Sequence, residues 1–203
     1  MHLILPRSFY ARSTLDVARD LIGKVLVHVT PAGVAAGAIV EVEAYIGESD
    51  PACHAAAGLT QRNLPLYGPP GRTYVYLNYG IHHLVNAVTE PIGSPAAVLI
   101  RALEPREGLA LMRRRRARVL RRPAAVLVDA ALCRGPGNLT RALGITLVHN
   151  HLDLCSGRLV VQDRGERVSA LAWSARIGIS VGTEKKWRCY ALDSPYVSVR
   201  RSS

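Results

Sequence analysis

RTYVYLNYGIHHLVNAV, residues 72–88, is the stretch that decides the fold. Its two parts, 72–78 and 81–88, are rich in β-branched and aromatic side chains, which favour β-strands. The dipeptide Tyr79-Gly80 separates them, and a two-residue link that contains glycine predicts a tight β-hairpin. The sequence therefore predicts a hairpin that carries an aromatic side chain at its tip.

Further strands and helices are predicted on both sides of this hairpin. Residues 13–22 have the pattern of an amphipathic helix, with Ser13 or Thr14 as its N-cap. Pro105 is predicted to begin a second helix that continues to residue 122, since proline favours the first helical position. The other predicted elements are strands at 24–30, 34–46 and 96–104, a long loop at 47–71, a helix at 136–143 and several short strands from 158 to 200.

This succession of elements indicates an α+β fold. A chain of 203 residues, of which 49% are hydrophobic, fits one domain with a core of its own. No repeat, low-complexity segment or domain boundary interrupts it, so we expect a single domain over residues 1–203. The pattern predicts a mixed, mostly antiparallel, curved sheet with packed helices and a protruding β-hairpin.

The charge of the chain indicates a polyanionic partner. The net charge is +11 and the isoelectric point is about 10.1. Arginine dominates the basic residues, and lysine occurs only at Lys24, Lys185 and Lys186. Such a balance favours DNA, RNA or an acidic membrane surface as partner. An arginine-rich composition inherited from a GC-rich genome is the alternative, although it would not explain the scarcity of acids.

Cysteine and hydropathy patterns exclude several classes of protein. The four cysteines are scattered, and none forms the closely spaced pair that zinc sites use. His82 and His83 are adjacent on a predicted strand and would face opposite sides, so we predict no metal site. No stretch is long enough to span a bilayer, and the apolar stretch near the N-terminus is too short for a signal peptide. We expect a cytoplasmic protein with reduced thiols.

Two acids and a tyrosine share one side of the predicted strand 34–46. Alternate residues of a strand face the same side, which places Glu41, Glu43 and Tyr45 together. In a chain so poor in acids, this grouping is a candidate site. A solvent-exposed strand face, with the acids paired to nearby arginines, is the alternative.

The tyrosines of the hairpin fall on both of its sides. Tyr76 and Tyr79 have opposite strand parity, so they would face different surroundings. An exposed aromatic at a hairpin tip beside a basic surface can insert between stacked bases. A Tyr79 ring folded back onto the neighbouring loop is the alternative.

An arginine run lies in the predicted helix 107–122. Four consecutive arginines, residues 113–116, surround a helix on every side, so they cannot all contact one line of phosphates. Contact with a nucleic-acid backbone and a solvated helix face are both compatible with this run. The sequence does not decide between them.

Five segments of the chain resemble the alkyladenine (3-methyladenine) DNA glycosylases. They are long, follow one another in the order of that family, and extend over nearly the whole chain. The segments are EVEAYIGESDPACHAAAG at 41–58, GRTYVYLNYGIHHLVNAV at 71–88, AAVLIRALEP at 96–105, LCRGPGNLTRALGI at 132–145 and SPYVSV at 194–199.

The resemblance implies a base-excision repair enzyme that extrudes a damaged purine from duplex DNA and hydrolyses its N-glycosidic bond. It implies that Glu43 activates the attacking water, and that Arg101 lies near this water and the phosphate of the extruded nucleotide. It implies that Tyr79 inserts into the minor groove and fills the gap. Lesions of the 3-methyladenine, 7-methylguanine, hypoxanthine and ethenoadenine class are the expected substrates.

The resemblance also implies the base pocket. The extruded base would stack between Tyr45 on one face and His54 and Tyr76 on the other. Aromatic faces attract positive charge, which suits cationic alkylated purines. Asn86 would exclude normal guanine, whose exocyclic amine would clash with its side chain.

Three hypotheses follow for the function. The first is a monofunctional glycosylase without cofactor or metal, acting as a monomer on double-stranded DNA in the cytoplasm of a bacterium or the nucleus of a eukaryote. The second is a non-catalytic nucleic-acid-binding module, for which charge and tyrosines suffice. The third is a metal-dependent nuclease that uses the acids and the histidine of the segment 41–54, namely Glu41, Glu43, Asp50 and His54.

Overall fold

The computed structural model describes residues 2–120 and 127–198, and the side chain of Leu120 lies outside this description. Within these residues the chain forms nine strands, five α-helices and three short 3-10 helices. The strands are β1 (Leu3–Ile4), β2 (Val25–Thr30), β3 (Gly33–Ile46), β4 (Thr73–Asn78), β5 (His82–Val88), β6 (Ala96–Glu107), β7 (Leu159–Asp163), β8 (Leu171–Ser174) and β9 (Arg188–Ala191). The α-helices are α1 (Arg7–Tyr10), α2 (Thr14–Leu21), α3 (Leu109–Leu120), α4 (Asp129–Leu132) and α5 (Pro136–Leu143). The 3-10 helices are His54–Ala57, Leu64–Tyr67 and Leu147–His149.

The long strand β3 organises the sheet. The strand order is β1-β7-β2-β3-β6-β5-β4, and the ribbon of β8 and β9 joins through β9, which also pairs with β3. All strand pairs described are antiparallel. The expected α+β class with a mostly antiparallel sheet is confirmed.

Helices α2 and α5 pack against the sheet and complete the core. Helix α2 buries Val17, Ala18 and Leu21, and α5 buries Leu139 and Leu143 with their neighbours. These side chains belong to the same buried cluster as the core residues of β3 and β6. Removing that apolar surface from water stabilises the fold.

Most predicted elements agree with the structure. The helix predicted at 13–22 is α2, with Ser13 at its N-cap position. The Ser13 side chain makes no capping hydrogen bond, and the carboxylate of Glu90 instead accepts from the Thr14 backbone N–H at 2.7 Å and its hydroxyl at 2.8 Å. A distant acid thus fulfils the capping role that the sequence assigned to a neighbouring hydroxyl.

The predicted start of the second helix at Pro105 is wrong. Pro105 lies in β6 opposite Gly37, next to a register shift between Ala36 and Gly37. Proline is tolerated in a strand at such an irregularity because it lacks the N–H that a regular ladder would use. Gly108, with φ of +75°, ends the strand, and the helix begins one residue later. Residues 121 and 122 of the predicted helix lie outside the described residues.

The arginine run of α3 makes contacts within the protein. Arg115 donates to the carbonyl oxygens of Ala142 and Leu143, at the end of α5, at 3.1 and 2.8 Å. Arg116 is buried and donates to the carbonyl of Ala131, at the end of α4, at 2.8 Å. Guanidinium groups at helix C-termini satisfy carbonyls that lack helical partners. Part of the run is therefore structural, which neither sequence-based interpretation anticipated.

The predicted hairpin is confirmed as β4 and β5. The φ angles of Tyr79 and Gly80 are +48° and +67°. The N–H of Ile81 donates to the carbonyl of Asn78 at 3.0 Å, closing the turn. Two positive φ angles within a closed turn characterise the type I′ geometry that fits the twist of paired strands. Tyr76 on β4 is half-buried, whereas Tyr79 at the tip is exposed, so the two rings have different surroundings as the strand parity predicted.

Candidate active site

A cavity of about 360 Å³ opens between the hairpin, the central strands and two loops. This volume lies in the range of small-molecule pockets, roughly 300–1,000 Å³. Strands β3 to β6, the loop after β3 and residues 177–179 all contribute to its wall. Among the residues predicted from the sequence, the cavity is lined by Tyr45, His54, Tyr76, Tyr79, Asn86 and Arg101.

Glu43 lies directly behind this wall. Its side chain is completely buried, so the solvent-exposed face of the alternative is wrong, whereas the pairing of these acids with arginines that it expected is present. One carboxylate oxygen accepts from the Tyr45 hydroxyl at 2.9 Å and from Arg101 Nη1 at 3.0 Å. The other accepts from the backbone N–H of Ile177 at 2.6 Å. Three of about four acceptor positions of the carboxylate are thus occupied, which leaves one for a further donor.

Arg101 connects Glu43 to a second buried acid. Its Nε donates to Glu41 at 2.9 Å, and Glu41 also accepts from Arg188 Nε at 2.7 Å and from the Ser198 backbone N–H at 2.6 Å. Burial raises the pKa of Glu41, but Arg101, the Ser198 N–H and Arg188 outweigh it and hold this pKa below its ordinary value. The buried charges of Glu41 and Glu43 are thus paired with arginines, which compensates the cost of removing them from water.

Aromatic rings form two sides of the cavity. His54 and Tyr76 are adjacent, with ring centroids 4.5 Å apart and planes at 66°. Tyr45 lines the cavity from β3, where the hydrogen bond to Glu43 fixes its hydroxyl. Burial and the neighbouring Glu43 raise the pKa of Tyr45, so its hydroxyl stays protonated and donates. Flat apolar walls of this kind suit a planar heterocycle.

His54 is held in place from both sides. Its Nδ1 lies 2.7 Å from the Tyr74 hydroxyl. Its carbonyl accepts from the amide of Asn63 at 2.9 Å, which fixes the loop on which the histidine lies. Burial, and next the charge of Arg62, lower the pKa of His54, so the ring is neutral at neutral pH.

Asn86 lines the cavity floor and is almost completely buried. Its Nδ2 donates to the Tyr74 carbonyl at 2.9 Å, so the amide has a fixed orientation. A fixed amide can reject a ligand by collision, because it cannot turn away without losing a buried hydrogen bond.

Tyr79 lies at the mouth of the cavity and is 83% exposed. The alternative in which its ring folds back on the neighbouring loop is therefore wrong. Ile81 beside it is 62% exposed. Arg62 and Arg141 contact the hairpin on either side, through the carbonyls of Leu77 and Ile81 at 3.5 and 3.3 Å. The apolar tip is thus flanked by positive charge.

Sequence reasoning missed Arg176 and the role of Asp50. Arg176 donates to both carboxylate oxygens of Asp50, at 2.6 and 2.8 Å, and to the Ala44 carbonyl at 3.0 Å. The next residue, Ile177, supplies the backbone N–H that binds Glu43. A backbone donor leaves no trace in residue type, and the pair spans 126 positions of sequence, so no local pattern could have shown it.

The acids of the nuclease hypothesis do not form a joint site. Glu41 and Glu43 are bound to Arg101, and Asp50 is bound to Arg176. Within residues 2–120 and 127–198, no three histidine, cysteine or acidic side chains come together as metal ligands would. Because arginine already occupies these carboxylates, the geometry does not favour the hypothesis.

A basic protein with an exposed aromatic tip beside an aromatic cavity has the features of an enzyme that acts on an extruded nucleobase. Comparison with known proteins agrees, since residues 8–195 match the model of the methylpurine-DNA glycosylase (MPG) family. The chain belongs to this family. It is a DNA glycosylase of the methylpurine, or 3-methyladenine, type, which acts on DNA in base-excision repair.

Individual relatives are similar over almost their entire length. A protein of Methanocella arvoryzae is 48% identical over 201 residues, which cover 97% of this chain and 96% of the relative. One from Chlorobium phaeobacteroides is 46% identical over 200 residues, with 98% and 96% covered. One from Rhodopseudomonas palustris is 48% identical over 194 residues, with 96% and 90% covered. All three bear the name "Putative 3-methyladenine DNA glycosylase".

In the described part of the chain, no helix has both the length and the apolar character required to cross a bilayer.

Proposed function

We propose that this protein excises alkylated or deaminated purines of the 3-methyladenine, 7-methylguanine, hypoxanthine and ethenoadenine class, with a water activated by Glu43, and leaves an abasic site. The observation that carries the proposal is the buried Glu43 carboxylate, which lies directly behind an aromatic cavity and retains one acceptor position. A general base needs such a free lone pair within reach of its water.

The hairpin tip provides the means of extruding the base. Tyr79 is exposed, flanked by arginines and supported by a closed turn. Inserted into the minor groove, its ring would fill the space that the extruded nucleotide leaves and would stack on the neighbouring bases. Arg62 and Arg141, which contact the hairpin through the carbonyls of Leu77 and Ile81, would bind the phosphates beside the wedge.

The cavity accepts the base as a flat ligand. Tyr45 would stack on one face, and His54 and Tyr76 on the other. The electron-rich faces of these rings favour a purine that alkylation has made cationic. Asn86 would exclude guanine by collision with its exocyclic amine, because the Tyr74 carbonyl holds its amide in place.

The chemical step involves Glu43, a water and the extruded nucleotide. Glu43 takes a proton from a water as the water oxygen forms a bond to the sugar C1′. The C1′–N bond breaks, and its electron pair leaves with the base. The transition state has the character of a sugar cation, which the carboxylate stabilises electrostatically. Arg101 holds Glu43 at 3.0 Å and lines the cavity, where it would also approach the phosphate of the nucleotide.

The reaction is proposed to end at the abasic site. A coupled lyase reaction would need an amine to form a Schiff base with the sugar. None of the three lysines, Lys24, Lys185 and Lys186, lines the cavity. We further propose that residues 1–203 act as a single domain and a monomer, in the cytoplasm of a bacterium or the nucleus of a eukaryote.

The direct test uses duplex DNA with one hypoxanthine or one 7-methylguanine, incubated with the protein in EDTA. We expect strand breaks only after hot alkali, which cleaves abasic sites. Breaks before alkali would contradict the monofunctional reaction. Tight binding without any breaks would favour a nucleic-acid-binding module that has kept the fold and lost the chemistry.

A further inference from the structure

The guanidinium of Arg176 lies behind the aromatic wall of the cavity. Its Cζ is 4.7 Å from the centroid of the Tyr45 ring and 5.2 Å from that of Trp187, so it is enclosed between two rings. Its side chain is completely buried. Tyr45 lines the cavity and Arg176 does not, so the guanidinium lies on the side of Tyr45 that points away from the cavity.

Asp50 compensates the charge of Arg176. The two side chains form a bidentate ion pair at 2.6 and 2.8 Å, and both are fully buried. Lys185 lies at the edge of this pair, with its Nζ 3.8 Å from Asp50 and 4.4 Å from the Trp187 centroid. A positive and a negative charge are therefore fixed behind the Tyr45 wall of the cavity, out of contact with solvent.

We propose that the Arg176–Asp50 pair determines lesion specificity by setting the electrostatic potential behind Tyr45. The inference rests on the proposed function, in which the extruded base stacks on the opposite face of that ring. A cation behind the ring opposes a cationic base on its other face, and Asp50 counteracts this effect. The balance of the two charges sets the preference between cationic and neutral lesions.

The size of the effect follows from the geometry. A base in van der Waals contact with Tyr45 would lie roughly 8 Å from the Arg176 guanidinium. Two unit charges at about that distance, in an effective dielectric near 20, change an equilibrium by roughly thirtyfold. Because each single substitution removes one full charge while its partner stays, we expect changes that approach roughly thirtyfold.

The test compares excision of 7-methylguanine, which carries a fixed positive charge, with excision of neutral hypoxanthine. Single-turnover rates are measured for both lesions, and the rate for 7-methylguanine is divided by the rate for hypoxanthine. This ratio is then compared between each variant and the unaltered protein. Arg176→Gln should raise the ratio in favour of the cationic base. Asp50→Asn leaves the arginine uncompensated and should lower it.

Changes of the ratio in opposite directions in the two variants distinguish this inference from a purely structural role of the ion pair. Loss of a buried ion pair alone would slow excision of both lesions and would move both variants in the same direction. If the ratio is unchanged in both Arg176→Gln and Asp50→Asn, or changes in the same direction in both, the inference is overturned. The proposed function stays intact in that case. If the unaltered protein releases neither base, the proposed function falls and the inference with it.

A milder variant covers the case in which both buried substitutions prevent folding. Lys185→Gln removes a partly exposed cation from the same group and should raise the ratio, by less than Arg176→Gln would. Lys24→Gln is the matched control, because Lys24 pairs with Asp163 at the end of β7 and does not line the cavity. A ratio in Lys185→Gln equal to that in Lys24→Gln overturns the inference.

Discussion

Replacement of Tyr79 by glycine is expected to preserve folding while weakening binding to damaged DNA. Tyr79 has φ of +48° and is 83% exposed. A left-handed conformation costs a residue with a Cβ atom about 1–2 kcal/mol, whereas glycine adopts it freely. Glycine loses more backbone entropy on folding, about 0.5–1 kcal/mol. The free energy of unfolding should therefore stay the same or increase by up to about 1.5 kcal/mol.

The affinity for damaged DNA, in contrast to stability, should decrease in Tyr79→Gly. A ring stacked on a base contributes about 1–3 kcal/mol, which corresponds to a loss of roughly fivefold to 150-fold in affinity when it is removed. The loss should be large on duplex DNA, where the tyrosine would fill the gap left by the extruded base. It should be small on an already unpaired lesion, where little stacking has to be replaced.

The assay combines thermal unfolding with fluorescence anisotropy on lesion-containing duplex and single-stranded DNA. Both proteins carry Glu43→Gln, so that the lesion is not consumed during the titration. A midpoint of unfolding lowered by several degrees would refute the strain argument. Equal losses of affinity on duplex and unpaired lesions would refute the wedge role.

Three further results are expected. Asn86→Ser should raise the release of normal guanine from undamaged duplex by roughly tenfold, since the collision with its amine is removed; unchanged release would contradict the exclusion role. The affinity for DNA should decrease with salt, with a linear relation between the logarithms of affinity and salt concentration. For every two phosphates contacted, the affinity should fall roughly tenfold between about 50 and 200 mM salt. An affinity that does not change with salt would rule out such contacts. Burial lowers the pKa of His28, His54 and His149 below the usual 6.5. The unfolded chain therefore takes up more protons than the folded chain, and the melting temperature should fall as pH decreases through that value. A melting temperature that rises over this range would contradict the argument.

The sequence was most informative where structure depends on neighbouring residues. The Tyr79-Gly80 dipeptide predicted the turn because positive φ angles are a local requirement. Strand alternation correctly placed Glu43 and Tyr45 on one side of β3, where the tyrosine hydroxyl now binds the carboxylate. These features need no knowledge of the rest of the chain.

Long-range features could not be predicted in the same way. Pro105 reads as a helix start by local preference, yet its pairing with Gly37 keeps it in β6. The arginines of α3 contact the ends of α4 and α5, which come next to them only after folding. The Arg176–Asp50 pair unites residues whose sequence neighbours indicate nothing about each other. In each case tertiary packing outweighs the local pattern.

The role of Glu43 is tested most directly by comparing Glu43→Gln with Glu48→Gln on hypoxanthine-containing duplex. Glu48 is an exposed acid in the loop after the same strand, hydrogen-bonded to Tyr67, and is a matched control. We expect Glu43→Gln to lower the single-turnover rate by at least about 10²- to 10⁴-fold with unchanged affinity, and Glu48→Gln to alter neither. Excision by Glu43→Gln at the rate of the unaltered protein would contradict the account.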